Sequence, residues 1–251
     1  MRVDGKKIAE EIVAGLGESL RGRRLGIVVG SSDPATESFL KIKSRVAQRL
    51  GVEVVRGALE DLVKTCDGII VQLPHPKEKE LLAALPAEKD VDAVSHKPLV
   101  RAPVAEAISE VLTRAGVAAA HKKAVVVGAG KLVGAPAAQL LRDLGAEVVV
   151  VTQARGSLNE LKDADIVVLG AGEPGLVKPE MLKKGVVLID AGTSAAPVDV
   201  LRPREAGGKL AGDADPACEQ VASVFTPVPG GIGPIAVAMI FRNLLTLVKQ
   251  H

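Results

Sequence analysis

Apolar runs rich in Val and Ile alternate with stretches of helical periodicity along the chain. This pattern predicts an α/β fold with mostly parallel strands. Asp4 is a good N-cap, and Ile8, Ile12, Val13, Leu16 and Leu20 then share one face of a first helix. Leu25 to Val29 reads as a strand running into the turn-rich segment GSSDPATES. The next helix carries Phe39, Ile42, Lys43, Val46 and Leu50, and positions 39 and 43 lie on one face. A strand from Gly68 to Val71 ends at Gln72 and an LPHP turn, and KDVDAV follows a short helix.

Near residue 104 the pattern restarts as a second α/β unit. Lys123 to Val127, Glu147 to Val151, Ile166 to Leu169 and Val186 to Ile189 read as strands. Val133 to Leu144 reads as a helix, and Ile232 to Val248 as one long terminal helix. Between the first of these strands and its helix lies GAGKLVG, with glycines at 128, 130 and 134. Such glycines allow a tight turn and bring a pyrophosphate close to a helix N-terminus, where exposed N–H groups favour an anion. The spacing is one residue longer than the commonest dinucleotide fingerprint, and the same glycines could serve only to pack strand against helix. The second strand of the unit ends in Thr152, Gln153, Ala154 and Arg155, without the acid that usually holds the ribose of NAD. Arg155 can pair with a 2′-phosphate, which favours NADP; the alternative is a solvated loop arginine.

Composition narrows the chemistry. Among 251 residues the aromatic side chains are Phe39, Phe225 and Phe241, with no Tyr or Trp, and the formal net charge is +2. Single-stranded nucleic-acid binding thereby loses both of its usual supports, a basic excess and stacking rings. Cys66 and Cys218 stand far apart and read as reduced thiols, and the four histidines show no metal-ligand spacing. The start, MRVDGKKIAEEI, lacks the apolar stretch of a signal peptide, and no window of about 18 residues is free of charges or Pro/Gly breaks. A soluble cytoplasmic protein with no metal, membrane or nucleic-acid partner is expected.

The most constrained string is Thr226, Pro227, Val228, Pro229, Gly230, Gly231, Ile232, Gly233, Pro234, with three prolines and three glycines just before a helix. It resembles the PVPGGVGP signature of the bifunctional methylenetetrahydrofolate dehydrogenase/cyclohydrolase family. SFLKIK, VQLP, KDVD, VGAP, LIDAGT and GDAD stand in the family's order, so the resemblance spans nearly the whole chain. It implies an N-terminal α/β folate domain over residues 1–103, a Rossmann NAD(P)-binding domain over 104–229, and a terminal helix over 230–251 returning to the first domain. It also implies a cleft between the domains and a homodimer joined through the Rossmann domain. The implied substrates are tetrahydrofolate one-carbon derivatives. The implied reactions are hydride transfer from 5,10-methylenetetrahydrofolate to NADP, with NAD the alternative, and hydrolysis of the methenyl product to 10-formyltetrahydrofolate.

By this resemblance Lys43 is the catalytic lysine, Gln72 the residue that hydrogen-bonds it, and Asp92 the acid that grips the pterin. Phe39, Leu73, Pro227, Pro229, Gly230 and Gly231 fall at the substrate. Gly128, Ala129, Gly130, Lys131, Val133, Gly134, Thr152, Arg155, Gly172 and Thr193 fall at the dinucleotide. The roles suit the chemistry: methenyl hydrolysis needs a proton shuttle, and a carboxylate can accept the paired N–H donors of a pterin edge.

The chain also departs from the family. Phe39 stands where the family has a tyrosine, and a phenyl ring can stack but cannot hydrogen-bond as a phenol does. Ala93, Val94, Ser95 and His96 replace Gly-Phe-His-Pro, Ala129-Gly130 replaces Arg-Ser, and Thr152 to Arg155 replaces a Cys-His-Ser-type segment. The expected outcome is an active dehydrogenase with weakened cyclohydrolase. Two rivals are a Rossmann dehydrogenase of amino-acid or shikimate type, which leaves PVPGGIGP unexplained, and a degenerate binder without turnover.

Overall fold

In the computed structural model the described residues are 1–30, 34–192, 194–195 and 210–250, and the side chains at 34–36, 38–39 and 194–195 lie outside that description. In chain order the elements are α1 (Gly5–Leu16), β1 (Arg24–Val29), α2 (Pro34–Arg49), β2 (Glu53–Arg56), α3 (Leu59–Thr65), β3 (Gly68–Gln72) and α4 (Glu78–Ala84). Then come α5 (Pro103–Arg114), β4 (Lys123–Val127), α6 (Gly134–Asp143), β5 (Glu147–Val151), β6 (Ile166–Leu169) and β7 (Val187–Asp190). The short strands β8 (Ser194–Ala195), β9 (Leu210–Ala211) and β10 (Val224–Thr226) precede α7 (Ile232–Lys249). Mixed α/β architecture with parallel sheets is therefore what the alternating apolar pattern encodes.

The chain divides into two compact units, one of Lys7–Glu106 with Ile235–His251, the other of Met1–Lys6 with Ala107–Pro234. In the first, β2, β1 and β3 form a parallel sheet in that order. Successive strand side chains point to opposite faces. Leu25, Ile27 and Ile70 thus join a core with Val13, Leu16, Leu40, Ala47 and α7, while Val28, Ile69 and Val71 join a second with Leu59, Leu62 and Leu82. Gly26 packs closely on α3, where a Cβ would lie 3.1 Å from Cβ of Leu62. From α7, Val237, Ile240, Phe241, Leu244 and Leu247 pack into the first core. Truncating fully buried Phe241 to alanine would cost about 3–5 kcal/mol. Among the described residues α7 is the one helix long and apolar enough to cross a bilayer, but its apolar side chains line this core.

Three details differ from the pattern expected of the sequence. The segment GSSDPATES gives way to helix at Pro34, since proline suits a first helical position. Leu20, although fully buried, lies beyond the end of α1. The buried face of α2 runs through Leu40, Lys43 and Ala47, with Leu50 buried just past its end, while Ile42 is 40% exposed.

The second unit is a five-stranded parallel sheet in the order β10-β7-β6-β4-β5. Strands β6 and β7 are buried throughout, as expected of strands covered on both faces. β5 is an edge strand and only its last residue is buried. Strand order reverses at β4, because β5 lies on one side of it and β6 on the other. Met1–Val3 run beside β10: the Phe225 N–H donates to the Met1 carbonyl and the Val3 N–H to the Phe225 carbonyl, each at 2.9 Å. The first six residues are therefore grouped with residues 107–234 and not with the helix they begin.

Candidate active site

Lys43 sits at a core-facing position of α2, three residues after Leu40 and four before Ala47, so its stem is buried and the whole residue is 8% exposed. Its ammonium donates to Oε1 of Gln72 at 2.9 Å. Gln72, the last residue of β3, uses its other amide end to donate to the Leu73 carbonyl at 3.2 Å. Both ends of the amide are therefore committed. Leu73 is half-buried against the second core, and the Leu73–Pro74 peptide is cis.

The third residue, Asp92, belongs to the same constellation. Burial pushes the Asp92 carboxyl above its ordinary value; the Lys43 charge pulls it back, and Asp90 adds to the rise. Lys43, Gln72 and Asp92 are thus brought together at one end of one unit. The turn carrying Asp92 is set by residues on either side. Ala93 takes a left-handed φ of 56°, where the family's glycine would be unstrained. Fully buried Asp90 accepts the Ser95 N–H at 2.6 Å, and Asn243 of α7 donates to the carbonyls of Val91 (2.9 Å) and Arg101 (2.8 Å). Phe39 falls in the second turn of α2, and its side chain lies outside the described residues.

In the other unit, Gly128 leaves β4 at φ 100°, and a Cβ on it would lie 2.4 Å from the Gly170 carbonyl oxygen. A Cβ on Gly134 would lie 2.1 Å from the Gly128 carbonyl oxygen, and one on Gly170 2.4 Å from Cγ1 of Val133. These glycines do pack chain against chain. Gly130 differs: a Cβ there would meet nothing within 4 Å, so the turn is open to an incoming group. Helix α6 begins at Gly134 with no side-chain cap from Val133; the Ala135 N–H donates to the Gly130 carbonyl at 3.0 Å and Pro136 has no N–H, so the Gly134 amide is the first-turn donor that can meet an anion. Ala129 and Lys131 are exposed on this loop. An NAD(P)-type pyrophosphate fits the open turn and uncapped helix end.

Thr152 and Arg155 close a tight turn at the end of β5, with Thr152 N–H donating to the Arg155 carbonyl at 2.7 Å and the return bond at 3.2 Å. Arg155 is exposed there. Gly172, at φ 73°, lies in the loop after β6, and Thr193 lies outside the described residues. In the signature loop, Val228–Pro229 is cis, Gly230 takes φ 106°, and the Gly231 N–H donates to the Pro227 carbonyl at 2.7 Å. Gly5 holds this loop from below, its N–H donating to the Gly230 carbonyl at 2.9 Å. A Cβ on Gly5 would collide with the carbonyls of both Gly230 and Gly231.

Sequence reasoning missed Gly5, Asn243, Asp190 and Asp213. The last two stand in LIDAGT and GDAD beside glycines at strand ends, a signal for buried acids that receive backbone amides.

Comparison with known proteins accords with this geometry. Residues 102–251 match the tetrahydrofolate dehydrogenase/cyclohydrolase NAD(P)-binding domain. The chain is 36% identical to the bifunctional protein FolD of Halothermothrix orenii, covering 99% of this chain and 98% of that one, and 31% identical to FolD of Staphylococcus aureus, covering 99% and 96%. The structure of Trypanosoma brucei methylenetetrahydrofolate dehydrogenase-cyclohydrolase, complexed with NADP and an inhibitor, matches with a TM-score of 0.89 and 29% identity over 100% of this chain and 97% of that one. A two-domain folate and dinucleotide enzyme is the class the fold defines. The chain belongs to the bifunctional FolD family of methylenetetrahydrofolate dehydrogenase/cyclohydrolases.

Proposed function

We propose that this protein oxidises 5,10-methylenetetrahydrofolate to the methenyl form with NADP and hydrolyses that product to 10-formyltetrahydrofolate at a reduced rate. The observation that carries this reading is the buried Lys43 bonded to a doubly committed Gln72 beside Asp92. The folate segment is taken as residues 1–103 with 230–251, and the dinucleotide segment as 104–229.

Asp92 accepts the paired N–H donors of the pterin edge, which fixes the ring by two charge-assisted hydrogen bonds. Leu73, Phe39, Pro227, Pro229, Gly230 and Gly231 supply apolar and backbone contact to the folate. Lys43 moves the proton during hydrolysis: water adds to the methenyl carbon and gives one proton to solvent, the Lys43 ammonium protonates the ring nitrogen as it leaves the carbon, and the amine so formed takes the hydroxyl proton as the formyl C=O forms. Gln72 keeps the Lys43 nitrogen in place for that exchange. Phe39 cannot share in the proton traffic, so hydrolysis is slower than in relatives with a phenol, while hydride transfer depends chiefly on orientation.

When bound, the nicotinamide dinucleotide accepts the hydride. Gly128, Ala129, Gly130, Lys131, Val133 and Gly134 would hold its pyrophosphate, Thr152 and Arg155 its 2′-phosphate, and Gly172 and Thr193 its remaining length. A homodimer fits the half-exposed edge strand β5. A cytoplasmic location fits the two free, buried thiols Cys66 and Cys218.

The test is a spectrophotometric assay of purified protein with methylenetetrahydrofolate and either NADP or NAD. Formation of reduced nicotinamide together with methenyl absorbance supports the reading and names the dinucleotide. Binding of both ligands without turnover would leave a degenerate binder.

A further inference from the structure

Two buried carboxylates in the second unit have no role in the account above. Asp213 is fully buried, and its Oδ2 accepts the N–H groups of Ala171 (2.7 Å) and Gly172 (3.1 Å) while its Oδ1 accepts that of Glu173 (2.8 Å). Three successive amides that converge in this way form a nest for an anion, and here the anion belongs to the chain itself. The loop so held leaves β6 directly against the glycine loop, where Gly170 packs on Val133 and Gly128 on Gly170.

Asp190, at the end of β7, accepts the N–H groups of Gly192 (3.0 Å) and Ala214 (2.8 Å). The two acids interlock through glycines. A Cβ on Gly192 would lie 2.2 Å from Cγ of Asp213, and a Cβ on Gly212 would lie 2.1 Å from Oδ2 of Asp190. Thr226 ties in β10, its Oγ1 accepting the Asp190 N–H at 2.7 Å and donating to the Asp190 carbonyl at 3.2 Å. Chain leaving β6, β7 and β10 is thus gathered onto one buried pair. Because its three amides are committed to Asp213, the loop after β6 does not offer them to the dinucleotide's phosphates; it serves as a shaped wall.

Topology says which half of the dinucleotide meets that wall. Ligands of open parallel sheets bind outside the carboxyl ends of the strands where the order reverses, here at β4. With the 2′-phosphate end on the β5 side at Arg155, the nicotinamide end crosses toward β6. We propose that Asp213 is a positioning residue for the nicotinamide half of the dinucleotide, holding residues 171–173 in the shape that receives it. This rests on the dinucleotide reading of the glycine loop.

Calorimetric titration with NADP and with adenosine 2′,5′-bisphosphate, which lacks the nicotinamide half, tests it without turnover. Asp213→Asn should weaken NADP binding roughly tenfold, as expected when hydrogen bonds to a charged acceptor are lost, and leave binding of the bisphosphate unchanged. Gly192→Ala keeps the charge but its Cβ displaces the carboxylate, so it should give the same split, and it carries the test where Asp213→Asn does not fold. Equal weakening of both ligands, or no weakening of NADP in folded protein, overturns the inference. Wild-type protein that binds neither ligand overturns the dinucleotide reading itself, and the inference with it.

Discussion

Gln72 receives the Lys43 ammonium on its carbonyl oxygen at 2.9 Å while its own amide N–H₂ is bound to the Leu73 carbonyl. A glutamine fixed at both ends cannot turn its amide around, so the lysine always faces an acceptor.

Gln72→Leu leaves the buried ammonium without that acceptor. Hydrolysis of methenyltetrahydrofolate should fall by about 10- to 100-fold, since a hydrogen bond to a charged group is worth about 1.5–3 kcal/mol. Lys43→Met should reduce it further, by about 10²- to 10⁴-fold, the range of a positioned acid–base group. Steady-state rates of the methenyl step check both, and full activity in Lys43→Met would remove the lysine from the mechanism.

Phe39→Tyr returns a hydroxyl to the face of α2 one turn before Lys43. Cyclohydrolase should rise by about 2- to 10-fold, the worth of one added hydrogen bond, with the dehydrogenase rate little changed. An unchanged hydrolysis rate would show that the phenol is dispensable in this chain.

Arg155 is the exposed cation on the turn that ends β5. Arg155→Ala should raise KM for NADP by about tenfold and leave KM for NAD nearly constant, because the charge-assisted pair serves only the 2′-phosphate. Parallel increases for both dinucleotides would assign the arginine to the shared part of the ligand.

The strongly periodic features were legible in the sequence. Val and Ile runs gave β1, β4, β5 and β6 close to their observed limits, and the family resemblance carried by PVPGGIGP singled out Lys43 in SFLKIK, Gln72 in VQLP and Asp92 in KDVD. Less legible were β2, four residues with exposed ends, and β10, three residues long, because neither is long enough to show a period. The apolar face of α2 was misjudged at Ile42, which is exposed while Leu40 and Ala47 are buried, because apolar residues flank Lys43 on both sides and periodicity alone does not choose between them. Gly5, Asn243, Asp190 and Asp213 act through backbone amides and carbonyls, and such bonds leave no mark on hydropathy.

Burial, opposed by amides of residues 192, 213 and 214 and helped by the Asp213 charge, pushes Asp190 up to about 6. A folded value above the unfolded one means that the folded state binds more protons between the two. Ionised Asp190 therefore costs up to about 3 kcal/mol at neutral pH, and that cost is relieved as pH falls through 6 toward 4. Asp165 and Asp215 act in the opposite sense, because Lys183 and Lys178 hold them below the ordinary range, and their contribution is lost only as pH falls below about 4. Melting temperature should accordingly be higher at about pH 5.5 than at about pH 7.5, and Asp190→Asn should flatten the difference. A lower melting temperature at pH 5.5 would contradict this assignment.

The central claim is tested most directly by measuring both steps on one preparation of the wild-type protein, with methylenetetrahydrofolate and NADP for the first and methenyltetrahydrofolate for the second. Reduced nicotinamide should form at a steady rate and methenyltetrahydrofolate should accumulate, because hydrolysis lags behind oxidation. No reduced nicotinamide with either NADP or NAD, or hydrolysis so fast that no methenyl form accumulates, would contradict it.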